Sequence, residues 1–321
     1  MTLPIRWRYK LERWRDSLAN LFRSKPQPAR PRLCPACSTL VGATATKCHE
    51  CGTSLTFSLA AASRSLSGLL PTESPITYGI LGLHLLLFAV SLLVTIRTTQ
   101  SFNLFGGISP EVLWRLGARQ PFSILQGELW RLVMPIFLHG GLLHILMNSW
   151  VLMDVGPQVE QAYGSARYLF LYVATGVFSF VVSTAWILFR HSDLVVGFGE
   201  QGARRGLFVG IGASGALMGL IGLLLAITTR RGGAYMQMLR AQLIRWVAYI
   251  LVIGLLVRGI DNAAHLGGLA AGFLLGRVMA DREPQNSTER QRAYALGWLA
   301  GLVVVASFAF MLVHYFSGAQ G

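Results

Sequence analysis

A serine and a histidine stand inside segments that are otherwise apolar, Ser214 in GIGASGALMGLIG and His265 in AAHLGGLAAG. Serine is common in lipid-embedded helices. An ionisable histidine is costly there and tends to face a bundle interior or a wet cavity. Brought together, the two make a nucleophile and its base. A third apolar run, HGGLLHILMNSW, adds His139, His144 and Asn148, side chains able to donate hydrogen bonds. A second constellation lies near the start of the chain, CPAC at Cys34 and Cys37 and CHEC at Cys48 and Cys51. Paired C-x2-C knuckles suit tetrahedral zinc held by four thiolates, a closed site of the structural kind. His49 is an alternative ligand, although four cysteines already suffice.

Positioning Ser214 against His265 requires helices in a membrane. With 53% apolar and 13% charged residues in 321, the composition excludes an ordinary soluble domain. A helix needs about 20 mainly apolar residues to cross a bilayer. Seven segments are candidates, at 76–96, 132–153, 168–189, 207–228, 243–258, 263–280 and 294–316; the fifth and sixth are short and could also form one helical hairpin or a broken span, and six spans is the alternative if the last segment lies elsewhere. No signal-peptide-like apolar run precedes them, so the first span is expected to act as an uncleaved anchor. The net charge of +14 does not point to nucleic acid, because most of the Arg and Lys residues lie on the side of the N-terminus. That asymmetry places the N-terminus in the cytoplasm.

This topology starts spans two, four and six on the outer side, so their polar residues lie at one depth. Gly215, Gly219, Gly222 and Ala226 form a stripe of small residues on span four, and Ala264, Gly268, Gly272 and Gly276 form one on span six. Such stripes let backbones pack closely in lipid. The unpaired N–H groups at the start of span four can serve a developing oxyanion. Asp261 is expected to orient the His265 segment or to pair with Arg258, and His84 has no partner suggested by pattern.

The organisation read from the chain is a basic amphipathic helix over 1–25, with tryptophans on its apolar face and suited to an anionic membrane surface. A linker at 26–33, a zinc-ribbon-like module at 34–56 and a second linker at 57–75 follow. A six-span core occupies 76–280, and a cytoplasmic loop with the seventh span occupies 281–321. A reducing cytoplasm disfavours disulfides among the cysteines. The closed ribbon suits structure or docking to a cytoplasmic partner.

At these residues the chain resembles the rhomboid intramembrane serine proteases. The family pattern GxSG is matched by Gly212-Ala213-Ser214-Gly215, and AHxxGxxxG by Ala264-His265 through Gly272. His139, His144 and Asn148 match the span-two pattern, and Trp130-Arg131 the Trp-Arg pair of the first outer loop. Glu160 matches a supporting glutamate at the inner end of span two. The resemblance implies an all-α polytopic membrane protein, a six-helix bundle with a seventh span. It implies a dyad with Ser214 as nucleophile and His265 as general base and acid. His144, Asn148 and the Ser214 N–H would form the oxyanion hole, with His139 in the surrounding polar network. Gly212, Gly215, Trp130, Arg131 and Glu160 would be supporting residues. Where many members carry an aromatic four residues after the serine, this chain has Met218, which fills irregular space with less rigidity. The implied activity is hydrolysis of peptide bonds in or near transmembrane segments, without a catalytic cofactor. Partners would be membrane-protein substrates and the bilayer, in a bacterial plasma membrane with the active site outward. The alternative is a non-proteolytic binder of membrane clients. A transporter would predict an inverted repeat and midplane charges, and neither is clear in the sequence.

Overall fold

Prolines and glycines set where the helices begin. The computed structural model describes residues 31–34, 37–52, 54, 55, 73–100, 107–204, 208–257 and 259–317, in two units, Met1–Ser58 and Leu59–Gly321. The amphipathic helix expected over 1–25 lies outside the described residues, as does most of the linker at 57–75.

In the first unit, β1 (Arg32–Leu33) pairs antiparallel with β2 (Leu40–Val41), Leu33 opposite Leu40. Each cysteine knuckle closes in the same way. The Ser38 N–H donates to the Cys34 carbonyl at 2.9 Å, and the Gly52 N–H to the Cys48 carbonyl at 3.0 Å. Ser38 and Gly52 share a left-handed backbone, with φ of 63° and 68°. Glycine adopts this freely, and serine at a cost of about 1–2 kcal/mol.

The second unit is helical. Helices α1 (Pro75–Thr99), α2 (Pro110–Arg115) and α3 (Pro121–Leu125) open on proline, whose fixed φ and missing donor suit a first turn. Two 3-10 turns, Leu129–Leu132 and Met134–Phe137, lead to α4 (Leu142–Tyr163). There follow α5 (Ser165–Arg204), α6 (Ser214–Arg230), α7 (Ala234–Leu256), α8 (Asn262–Val278) and α9 (Ser287–Ser317). The non-helical backbone of His191 and Gly199 interrupts α5.

Helix α6 lies at the centre, with most of its residues buried. At 17 residues, α6 and α8 run about 25 Å, short of a hydrocarbon core of about 30 Å. Gly210, Gly212 and Ala213 ahead of α6 are buried in protein, which lets non-helical backbone there lie at membrane depth. Helices Pro75–Thr99, Ser165–Gly199, Ala234–Leu256 and Ser287–Ser317 are long and apolar enough to cross a bilayer by themselves. Leu85, Leu86 and Leu93 of α1 and Leu302, Val305 and Val313 of α9 are exposed, as expected of a lipid-facing surface.

Among the described residues, seven helices of 17 residues or more, four of them long and apolar enough to cross a bilayer, overlap the seven expected spans with changed bounds. The second starts at Leu142 rather than near 132, because Pro135 and Gly140-Gly141 break the run. The apolar residues before that break, Met134, Ile136, Phe137 and Leu138, are buried in protein. Spans five and six are separate helices, and the fifth begins at Ala234, ahead of its two arginines, Arg240 and Arg245.

Candidate active site

Helices α6 and α8 touch backbone to backbone along their glycine stripes. A Cβ at Gly268 would fall on the Gly215 carbonyl, and one at Gly272 on the Gly219 carbonyl. A Cβ at Gly276 would come 2.7 Å from that of Ala226. Ser214 is the first residue of α6, and His265 lies in the first turn of α8. At this separation Ser214 Oγ lies 2.8 Å from His265 Nε2, within hydrogen-bond reach. His265 is 4% exposed and Ser214 half-buried. A ring accepting at Nε2 carries its proton on Nδ1 when neutral. Nδ1 faces Asn262 Oδ1 at 3.4 Å, and the Asn262 amide is oriented by donating to the Leu251 carbonyl of α7 at 3.0 Å.

The segment before Ser214 meets the start of α4. Gly212 has φ +116°, a conformation that favours glycine. Its N–H donates to the Pro135 carbonyl at 2.8 Å. A Cβ there would come 2.6 Å from His144 Nε2 and 3.7 Å from Asn148 Nδ2. His144 Nδ1 accepts from the Gly140 N–H at 3.4 Å, which leaves the proton of a neutral ring on Nε2, the Gly212 side. Asn148 Nδ2 is buried and makes no hydrogen bond among the described residues. Two donors thus converge beside the Gly212-Ala213-Ser214 backbone.

His139 is 0% exposed, and neither ring nitrogen makes a hydrogen bond among the described residues. Its ring lies 5.2 Å from that of His144 and 4.9 Å from that of His84. His84 has a partner that pattern did not suggest, the Tyr172 hydroxyl at 3.1 Å from its Nε2. Met218 is buried in the core.

Trp130 and Arg131 stand apart from the dyad in the loop ahead of α4. The Arg131 guanidinium is 0% exposed and stacks on Trp130, 4.6 Å from its ring centre. It donates to the carbonyls of Trp114 at 2.7 Å and Ala118 at 3.2 Å, to the Glu128 carboxylate, and to His314 Nε2 at 3.0 Å. At the opposite end of α4, Glu160 accepts from the N–H groups of Ile76 (3.0 Å) and Thr77 (2.8 Å) and from the hydroxyls of Thr77 and Ser165. It thereby caps α1. Asp261 caps α8 and pairs with Arg119; Arg258, the partner expected for it, lies outside the described residues.

In the first unit, one Sγ from each of Cys34, Cys37, Cys48 and Cys51 lies within 4.8 Å of the others. Cys34–Cys51 and Cys37–Cys48 are each 3.6 Å apart. Zinc–thiolate bonds of about 2.3 Å place tetrahedral sulfurs about 3.8 Å apart, so the set fits a zinc-sized ion. The Thr39 hydroxyl beside Cys37 holds its thiol down to about 6, favouring the thiolate that binds metal. His49 is exposed and outside this group.

Comparison with known proteins agrees with this architecture. Residues 126–282 match the Rhomboid domain. The chain is 32% identical over 174 residues to the Rhomboid protease GluP of Bacillus subtilis, covering 54% of this chain and 31% of that protein. It is 32% identical over 238 residues to the mitochondrial RHOMBOID-like protein 6 of Arabidopsis thaliana, covering 68% and 71%. With Rhomboid-like protease 2 of Toxoplasma gondii it shares 34% identity over 185 residues, covering 58% and 60%. The chain therefore spans under a third of the length of GluP, 60% of the Toxoplasma relative and 71% of the plant one. A likeness reaching across most of the plant relative, together with the apolar helices and the matched domain, makes this chain an integral membrane protein of the rhomboid family.

Proposed function

We propose that this protein is an intramembrane serine endopeptidase acting through a Ser214–His265 dyad. The observation that carries the reading is the 2.8 Å contact between Ser214 Oγ and His265 Nε2, with donors converging beside it. The naming of GluP and the Toxoplasma relative as proteases supports it.

Ser214 Oγ attacks the scissile carbonyl carbon while its proton passes to His265 Nε2. The carbonyl π pair moves to oxygen, and this oxyanion is met by the Ser214 N–H, His144 Nε2–H and Asn148 Nδ2–H. Collapse of the tetrahedral adduct breaks the C–N bond, and His265 gives its proton to the leaving amine. Water then attacks the acyl-enzyme, His265 takes a water proton, and the proton returns to Ser214 as the acid leaves. His139, with no protein partner on either nitrogen among the described residues, suits a place in the polar pocket that water crosses.

The substrates are membrane proteins with a transmembrane segment that locally unwinds to offer its backbone. The N-terminus is cytoplasmic and the site opens toward the outer side, in a bacterial plasma membrane. No step requires a cofactor. Cys34, Cys37, Cys48 and Cys51 hold a structural zinc in a head that serves docking or localisation. The test is cleavage of a panel of single-span proteins in membranes by wild type, Ser214→Ala and His265→Ala. Equal cleavage by wild type and Ser214→Ala sinks the reading, and client binding without cleavage favours a non-proteolytic role.

A further inference from the structure

We propose that Arg119 and Asp261 form a positioning pair that sets the separation of Ser214 from His265. The inference rests on the serine-protease reading and deepens it. Arg119 lies in the loop between α1 and α4, yet is only 2% exposed. Its backbone pairs both ways with Gly210, N–H to carbonyl at 2.9 Å in each direction. Its guanidinium lies against Gly210, where a Cβ would come 2.7 Å from Nε. Nη1 donates to the Phe208 carbonyl at 2.8 Å. Phe208 has φ +58°, a strained backbone for a bulky residue that needs such an anchor. Arg119 therefore grips the segment that runs directly into Gly212 and Ser214.

The other end of the pair grips the histidine helix. Arg119 Nη2 donates to Asp261 Oδ2 at 3.0 Å, and the Ser183 hydroxyl of α5 donates to the same oxygen. Asp261 Oδ1 accepts from the Ala264 N–H at 3.0 Å, and its carbonyl accepts from the His265 N–H at 3.1 Å. One ion pair thus links the lead-in to the nucleophile with the first turn carrying its base. Burial pushes the Arg119 guanidinium down, and the Asp261 carboxylate acts against this. A buried cation of this kind persists only when paired and hydrogen-bonded. The glycine stripes set how closely α6 and α8 pack; the pair sets where their first residues stand.

The test uses the full chain with a single-span substrate. Asp261→Asn keeps a capping side chain and loses the charge. It is expected to lower kcat about 10- to 100-fold with KM little changed, as a misplaced reacting group does. Arg119→Met combined with Asp261→Asn should be no worse than the worse single variant, because both remove one interaction. Arg119→Lys, which keeps the charge, should recover part of the rate lost in Arg119→Met. The inference is overturned if Asp261→Asn stays within about twofold of wild-type kcat, or if the single losses multiply. It is also overturned if the variant only lowers the melting temperature while its folded fraction turns over normally. A readout independent of turnover is the 15N resonance of His265 Nε2, which should shift in Asp261→Asn as the Ser214 hydrogen bond is lost; an unchanged resonance refutes the pair. If Ser214→Ala cleaves like wild type, the protease reading fails, while the resonance still decides whether the pair positions the two groups.

Discussion

At the scale of single residues, Gly212 shows how little room the site leaves. Its φ of +116° and the His144 ring 2.6 Å from where a Cβ would stand both exclude a side chain. Gly212→Ala should therefore displace His144 and strain the turn into Ser214, abolishing measurable cleavage while the chain still inserts into membranes. Fluorophosphonate labelling of Ser214 in membranes checks this, and labelling at the wild-type rate contradicts it. In the proposed oxyanion hole, His144→Ala and Asn148→Ala remove one donor each. An oxyanion donor is worth roughly 100- to 1,000-fold in kcat, so each variant should lose that much with KM nearly constant. A loss confined to KM would place these side chains in substrate binding instead.

At the scale of elements, the contact between α6 and α8 holds the proposed dyad together, and it exists because small residues line both faces. A Cβ at Gly272 would meet the Gly219 backbone, which cannot rotate away as a flexible side chain can. Overpacking costs typically about 1–3 kcal/mol, so Gly272→Ala should lower the unfolding temperature and reduce Ser214 labelling together. A variant with wild-type melting and labelling would show that the helices separate freely. Helix α9 is tied to the loop before α4 through His314, whose Nε2 accepts from Arg131 and whose ring meets Trp114 and Trp130. His314→Ala removes this acceptor from a buried cation, a change worth about 1–3 kcal/mol. The melting temperature should fall by several degrees, and His314→Gln, which keeps an acceptor, should recover part of it.

At the scale of the whole molecule, the chain combines a head built on sulfur with a membrane bundle built on close backbone contact. Among its described residues the head has one pair of two-residue strands and few buried apolar groups, and small modules of that kind usually need a staple such as a metal. Purified full-length protein is expected to carry one zinc per chain by elemental analysis, and Cys48→Ser to lose it. Retention of full zinc by Cys48→Ser would require a ligand other than the four thiols. In the bundle, α6 and α8 are each too short to reach across a bilayer by themselves, and Ser214 and His265 stand in the first turn of each.

Much of this was legible in the chain itself. Long apolar blocks define a membrane protein because a bilayer tolerates backbone only in helices or closed barrels. Glycines at every third or fourth position mark a close helix contact because the helical period puts them on one face. Ser214 and His265, each beside the first member of such a stripe, follow from the same periodicity. The start of α4 was not legible, because hydropathy cannot tell apolar residues buried in protein from those facing lipid. Met134, Ile136, Phe137 and Leu138 are of the first kind. Nor were the pairings of Arg119 with Asp261, His84 with Tyr172 and Arg131 with His314, each joining segments far apart in the chain. Sequence by itself determined which groups are present and which helix face carries them, since periodicity is local. Only the tertiary structure decided which distant groups meet, because that depends on the register and rotation of helices packed against one another.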